Sequence, residues 1–217
     1  MIFRTTLSLA LLLLVSLYAP RVLAQAAWET PLQTQLTAFA EDSSPASLDR
    51  VSTTIERIAA ANPDAWLPNY HAAYFQQLRH YYAGEDGCKP CIEAMDAYLT
   101  KAEDADNNSE VLTLRASYYQ AMLNLHPMRA PYYGPKAGSI LEQAVKADPN
   151  NPRAASLLGQ NFYYTPAMFG GGSDVAAPHL KRAVELFATE ATTERGLLPS
   201  WGAERASKMS EKALAEL

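Results

Sequence analysis

The hydrophobic pattern of the chain predicts an all-α protein. Apolar residues recur at intervals of three and four rather than two, alanine is abundant, and runs of Val, Ile and Thr are few. Helix starts are indicated by pairs such as Ser44-Pro45 and Asn151-Pro152. The serine or asparagine oxygen can accept a hydrogen bond from the first helical amides, and a proline in the first turn loses no helical hydrogen bond. Helix-breaking residues divide the chain into about nine predicted helices, near residues 28–41, 46–61, 65–82, 89–104, 109–124, 135–147, 152–164, 174–188 and 199–215.

The apolar frame repeats along the chain. Residues 99–109 align without gaps on residues 141–151, and the same frame recurs at 55–63 and at 180–186. Four equivalent positions are 44, 42 and 39 residues apart, namely Ile58, Ala102, Ala144 and Ala183. A helical hairpin of this kind buries its apolar face by stacking on its neighbours, so the sequence predicts four stacked hairpins.

These repeats resemble the tetratricopeptide (TPR) family, whose unit is two antiparallel helices with small residues at their crossing. The best match is Leu158-Gly159, Phe162, Ala176, Leu180 and Ala183, followed by Ala137, Leu141, Ala144 and Pro149 in the preceding unit. The resemblance implies an α-solenoid of about four TPR-like hairpins plus a C-terminal capping helix. For that cap we expect the helix near 199–215, with Trp201 and Met209 on its apolar side; a partner-binding amphipathic helix is the alternative.

The last three units are longer than the usual TPR period of about 34 residues. The extra residues fall between the first and second helix of each unit, at 81–90, 126–135 and 165–176. Insertions at one fixed point of a repeat emerge along one edge of a solenoid, and long loops in a tight fold are often functional. We therefore expect binding at this edge or on the concave surface of the first helices.

Tyrosines supply the main candidate binding residues. Of the twelve tyrosines, eight occur as adjacent pairs, at 81–82, 118–119, 132–133 and 163–164. Adjacent helical residues point about 100° apart, so one member of a pair can pack in the core while the other lines a groove; core packing for all of them is the alternative. The candidate set is Tyr74, Tyr81, Tyr82, Tyr119, Tyr132, Tyr133, Phe162, Tyr163, Tyr164, Phe169, Gly170, Gly171 and Gly172.

The glycine triplet at 170–172 runs into a predicted helix start. Free amides at such a start can hold an anion, but the segment lacks the lysine and hydroxyl of a P-loop. We expect a tight loop whose following helix is capped by Ser173 or Asp174, with a ligand-contacting loop as the alternative.

Cys88 and Cys91 form the one cysteine pair of the chain. Their spacing matches thioredoxin-type motifs, but no βαβ pattern surrounds them, so a local disulfide is expected and redox activity is the alternative. A metal site that adds His71 and His80 is disfavoured because the two histidines do not share a helix face. Covalent haem attachment would need a histidine after the second cysteine, where Ile92 stands.

The N-terminus has the features of a secretory signal peptide. A positive start at Met1 to Arg4 precedes an apolar run at 7–17 and small residues before a cleavage point after Ala24. We expect residues 25–217 to form a single exported TPR-like domain without a stable membrane span after cleavage. The net charge of −5 becomes more negative once Arg4 and Arg21 are removed, which excludes nucleic acid as a partner.

Catalytic and cofactor motifs are absent from the sequence. It has no nucleophile elbow and no HExxH, its histidines are scattered, and nothing calls for a resident cofactor or metal. We therefore expect a non-enzymatic periplasmic or secreted protein that binds a protein or peptide partner as an adaptor or scaffold. The alternatives are a small-ligand-binding repeat protein akin to the T-component of tripartite periplasmic transporters, and a thiol-disulfide helper that uses Cys88 and Cys91.

Overall fold

The part of the chain that the computed structural model describes, residues 27–85 and 87–217, is mainly α-helical and contains no β-strand. The helices are α1 (Glu29–Glu41), α2 (Pro45–Ala61), α3 (Trp66–Tyr82), α4 (Lys89–Ala105), α5 (Ser109–Leu125), α6 (Ala130–Ala147), α7 (Pro152–Tyr164), α8 (Ser173–Glu190) and α9 (Ala203–Leu214). Short 3-10 helices lie at Pro127–Arg129 and Ala167–Phe169. The predicted signal peptide and its cleavage point fall outside the described residues.

Consecutive helices pack as hairpins that stack into a solenoid. The most extensive contacts are within the pairs α3 and α4, α5 and α6, and α7 and α8. The first helices of successive units, α3, α5, α7 and α9, also contact one another, and α9 closes the stack. The predicted TPR-like architecture with a capping helix is therefore confirmed. Within the described residues, no helix has both the length and the apolar character needed to cross a membrane.

The repeated frame lies on the core side of the second helices. Ala102, Ala144 and Ala183 are fully buried, as are the leucines three residues before each of them. Gly159 on α7 shows why a small residue is needed at a crossing, because a Cβ there would lie 2.7 Å from Cγ of Leu180 on α8. Burial of each leucine contributes roughly 2 kcal/mol, so the frame also stabilises the stack.

The second inserted segment is mostly helical rather than a loop. Helix α6 begins at Ala130, not near Pro135 as predicted, and Pro131 occupies its first turn. A proline in the first turn loses no intrahelical hydrogen bond, so Pro131 can begin the helix ahead of Pro135. The helix then continues through Pro135 at the cost of the one hydrogen bond that a proline nitrogen cannot donate. Tyr132 and Tyr133 therefore lie on the first turn of a helix.

The capping helix is shorter than predicted because residues 199–202, which were expected to begin it, form an irregular segment instead. Helix α9 begins at Ala203 after Gly202, whose φ of +106° suits glycine alone. Residues 191–202, which we call the strap, run along the first helices of the solenoid. Leu197 packs against the core of α1–α3, and Trp201 packs against the cores on either side of α5. Trp201 is thus part of the strap and not of the capping helix.

Candidate functional site

The strap covers the concave groove that the sequence offered as a binding surface. His71 Nε2 lies 2.8 Å from the carbonyl oxygen of Leu197, and Nε1 of Trp201 donates to the Tyr70 hydroxyl at 2.9 Å. The Trp201 ring also stacks on Tyr74, with centroids 5.3 Å apart and an interplanar angle of 12°. Tyr74, a predicted ligand contact, is therefore covered by the chain itself.

An ion-pair cluster lies beneath the strap. The Arg153 side chain is fully buried and donates to both Glu110, at 2.8 Å, and Glu190, at 2.6 Å. Arg195 of the strap reaches the same two carboxylates at 3.1 and 3.2 Å. Burial alone would lower the pKa of Arg153, but the hydrogen bonds that it donates to Glu190 and Glu110 outweigh burial and raise that pKa. Arg195 therefore ties the strap to α5 and α8 by ion pairs. The same two carboxylates supply the paired charges that the buried Arg153 on α7 requires.

His71 is held neutral under the strap. Burial lowers its pKa to about 4, and the hydrogen bond to Leu197 opposes that shift only in part. Because Nε2 donates to a carbonyl, Nδ1 carries a lone pair, and it has no hydrogen-bond partner within the described residues. A proton on Nδ1 would be both buried and unpaired, which explains the direction of the shift.

A second surface lies at the ends of the first helices and on the inserted segments. We call it the aromatic edge; its members are the exposed residues Tyr81, Tyr82, Met128, Tyr132, Tyr164, Met168 and Phe169. Exposure is extreme for Met128, at 95 %, and high for Phe169, at 72 %. Large apolar side chains that lie open at corresponding points of successive repeats indicate an interaction surface rather than core.

Half-buried tyrosines connect the edge to the core. Ring centroids are 5.2 Å apart for Tyr118 and Tyr119, 6.1 Å for Tyr119 and Tyr133, and 5.2 Å for Tyr132 and Tyr133. Tyr133 is buried whereas Tyr132 is exposed, so this pair divides between core and surface as the helical spacing requires. Tyr132 is thus the exposed end of a row of four contacting tyrosine rings.

The glycine triplet shapes the turn that presents Met168 and Phe169. Gly170 and Gly172 have φ of +84° and +119°, and a Cβ on Gly171 would lie 2.0 Å from the carbonyl oxygen of Thr165. The expected side-chain cap is wrong, because Gly172 precedes α8 and no side chain caps the helix. The glycines serve a tight turn that leaves the two large side chains in solvent.

The remaining candidates at this end of α7 are tied to neighbours. Phe162 is half-buried and stacks on His179, with centroids 5.1 Å apart. The Tyr163 hydroxyl donates to Glu216, which also accepts from Ser173 at 2.5 Å. Phe162 and Tyr163 therefore hold helices together, while Tyr164 remains exposed.

The predicted disulfide is present. Cys88 and Cys91 are joined, with Cα atoms 5.2 Å apart, and the Cys88 amide donates to Nδ1 of His80 at 2.9 Å. Gly87 makes room for the histidine, since a Cβ there would lie 2.4 Å from its ring. His71 and His80 thus serve different contacts, and the described residues contain no group of three or more His, Cys, Asp or Glu able to hold a metal ion.

Solved structures that resemble this chain include a haemophore and a TPR protein. No family model and no curated protein matches the chain. The HusA haemophore from Porphyromonas gingivalis is 30% identical, with a TM-score of 0.75 over 88% of this chain and 94% of that one. A thermophilic TPR protein of Thermus thermophilus is 21% identical, with a TM-score of 0.56 over 88% and 91% of the two chains, and shows the fold alone.

Proposed function

This chain belongs to the family of the HusA haemophore, and we propose that it is a non-catalytic carrier that binds haem or a closely related tetrapyrrole outside the cytoplasm. The observation that carries the proposal is the aromatic edge, a run of exposed Tyr, Met and Phe side chains across successive repeats. The signal-peptide features of residues 1–24 support the export that this proposal requires. The mature domain would then be residues 25–217.

The chemistry of the edge suits a flat macrocycle. Aromatic rings stack on a tetrapyrrole face, and thioether and phenolate groups are among the side chains that ligate haem iron. Tyr132 and Phe169 offer rings, and Met128 and Met168 offer thioethers. Arg129 and Lys136 are exposed on the same segment as Tyr132 and can pair with the carboxylates of haem.

Because the strap fills the concave groove, the structure favours small-ligand binding over a role as a peptide-binding adaptor. A TPR-like protein that holds a partner peptide in its concave surface needs that surface free, and here the strap occupies it through Leu197 and Trp201, so a peptide would first have to displace the strap. The edge needs no such rearrangement. The alternative of a small-ligand-binding repeat protein therefore replaces the adaptor as the leading hypothesis.

Haemin titration of purified residues 25–217 tests the proposal, followed by the Soret absorbance. Wild type should bind with a saturable spectral shift, and the double variant Tyr132→Ala/Phe169→Ala should bind about tenfold to a hundredfold more weakly, because two stacking contacts are lost. Leu217→Ala is the matched control, since Leu217 is as exposed as Phe169, at 71 %, but lies at the C-terminus. Equal affinity in the double variant and the control would refute binding at the edge.

A further inference from the structure

The strap lies in the concave groove in the way a bound peptide does. It has no helix of its own between Ala191 and Gly202, and its contacts reach residues more than a hundred positions earlier in the chain, such as His71 and Tyr70. The groove contacts the strap through a hydrogen bond to its backbone, an apolar pocket, an aromatic pocket and two carboxylates. These are the elements by which grooves recognise extended segments.

Each element selects a feature of the segment. His71 donates to the backbone carbonyl of Leu197 at 2.8 Å, which fixes the register without reading a side chain. The Leu197 side chain packs among the apolar residues of α1–α3, so an aliphatic residue is required there.

The other two anchors lie on either side of that leucine. Trp201 stacks on Tyr74 and donates to the Tyr70 hydroxyl, so this pocket fits a ring that carries a hydrogen-bond donor. Arg195 pairs with Glu110 and Glu190, and both carboxylates are only slightly exposed. The groove therefore matches a basic residue, a leucine two positions later and a tryptophan four positions after that.

We propose that the concave groove is a second binding site, distinct from the aromatic edge, for an extended segment of a partner protein with the pattern basic–x–Leu–x–x–x–Trp. The strap carries this pattern itself and occupies the site in cis. A partner segment binds when it displaces the strap.

Several features of the strap favour its displacement from the groove. Residues 191–194 and Gly196 are exposed, and glycines with positive φ, Gly196 and Gly202, lie at both sides of the Leu197–Trp201 stretch. An open cleft of about 590 Å³ lies beside Leu197, lined by the polar face of α1 from Glu29 to Glu41. A segment with irregular backbone and an open flank belongs to the low-stability end of a structure and opens without global unfolding.

A labelled synthetic peptide of residues 193–202 tests the site in trans. The strap variant Leu197→Ser/Trp201→Ala should bind it at least tenfold more tightly than wild type, because the competing strap no longer fits. Leu198→Ser is the matched control, since Leu198 is an exposed neighbour of Leu197 and should leave binding at the wild-type level. A peptide with alanine in place of its tryptophan should bind at least tenfold more weakly than the parent peptide.

Equal binding of the two peptides by the strap variant would overturn the proposal. So would displacement of the peptide by haemin in a protein that also carries Tyr132→Ala/Phe169→Ala, because haem would then be the ligand of the groove.

If the strap variant does not fold, native-state hydrogen exchange of wild type decides instead. Amides of 195–202 should exchange at least a hundredfold faster than those of α5, and exchange at the rate of α5 would show that the strap is a fixed part of the fold.

Discussion

The buried imidazole of His71 makes a quantitative prediction about stability in acid. Its pKa is about 4 in the folded protein, against 6.5 for an unperturbed histidine, the value that applies to the unfolded chain. Between these values the unfolded chain takes up a proton that the folded protein does not, so the free energy of unfolding falls as pH decreases. One pKa unit corresponds to about 1.4 kcal/mol, and the shift therefore predicts a loss of about 3 kcal/mol between pH 6.5 and pH 4.

The variant His71→Gln isolates this contribution. A glutamine amide can donate to the Leu197 carbonyl in place of Nε2 but cannot take up a proton. Other groups that shift in the folded state, including His80 and His179, are unchanged between the two proteins. The difference between wild type and variant thus reports His71 alone.

Urea unfolding followed by circular dichroism measures that difference at several pH values from about 7.5 down to about 4.5. Wild type should lose its free energy of unfolding more steeply than His71→Gln below pH 6.5, and the two slopes should agree above about pH 7.5. His126→Gln, at an exposed histidine, should follow wild type throughout. Parallel slopes for wild type and His71→Gln below pH 6.5 would refute the buried, neutral state of His71.

Three further substitutions test the packing of the fold by urea unfolding. Arg153→Met removes the buried cation between Glu110 and Glu190, whose carboxylates then keep only the partly exposed Arg195 as an ion-pair partner within the described residues. It should lower the free energy of unfolding by about 3 kcal/mol, against less than about 1 kcal/mol for Arg182→Met in an exposed pair; equal losses would contradict the cluster. Gly159→Val should lower it by about 1–3 kcal/mol because the added side chain collides with α8, whereas Gly134→Ala meets open space and should not. Cys88→Ser opens the disulfide and should lower it by about 2 kcal/mol, the chain-entropy value for so short a loop. A reductant should lower the free energy of unfolding of the wild type by the same amount and should leave that of the Cys88→Ser variant unchanged.

The repeated frame was predictable because it depends on local periodicity. Leucine and alanine three residues apart define the buried side of the second helix in each of the last three units. Gly159 with Leu180 marks a crossing that only a small residue permits. The start of α6 was misjudged because Pro135 was assumed to begin the helix, although Pro131 fits the first turn equally well.

The strap was not predictable in the same way. Trp201 matches the apolar side of a capping helix by spacing, and its real partners, Tyr70 and Tyr74, are far away in the sequence. The burial of Arg153 likewise depends on Glu110, which belongs to the preceding repeat, and on Glu190, which lies 37 residues later at the far end of α8. Periodicity reports which residues share a helix face, but not which irregular segment crosses the groove.

The aromatic edge was predicted in part. The tyrosine pairs and the three inserted segments pointed to this end of the hairpins, and Tyr132, Tyr164 and Phe169 are exposed there; that a ligand binds at this end stays a prediction. Met128 and Met168 were missed because single methionines in a polar segment have no pattern that distinguishes them from core residues. Their position inside the inserted segments was the signal that could have found them.

Paramagnetic mapping by NMR tests the central claim most directly. The ferric iron of haemin broadens nearby amide signals, so a spectrum of labelled residues 25–217 recorded with substoichiometric haemin reports where the ligand lies. Haem at the aromatic edge predicts loss of signals around Met128 to Tyr133 and around Tyr164 to Phe169, with the strap signals around Leu197 intact. Broadening centred on the strap and α3, or none in any region, would contradict it.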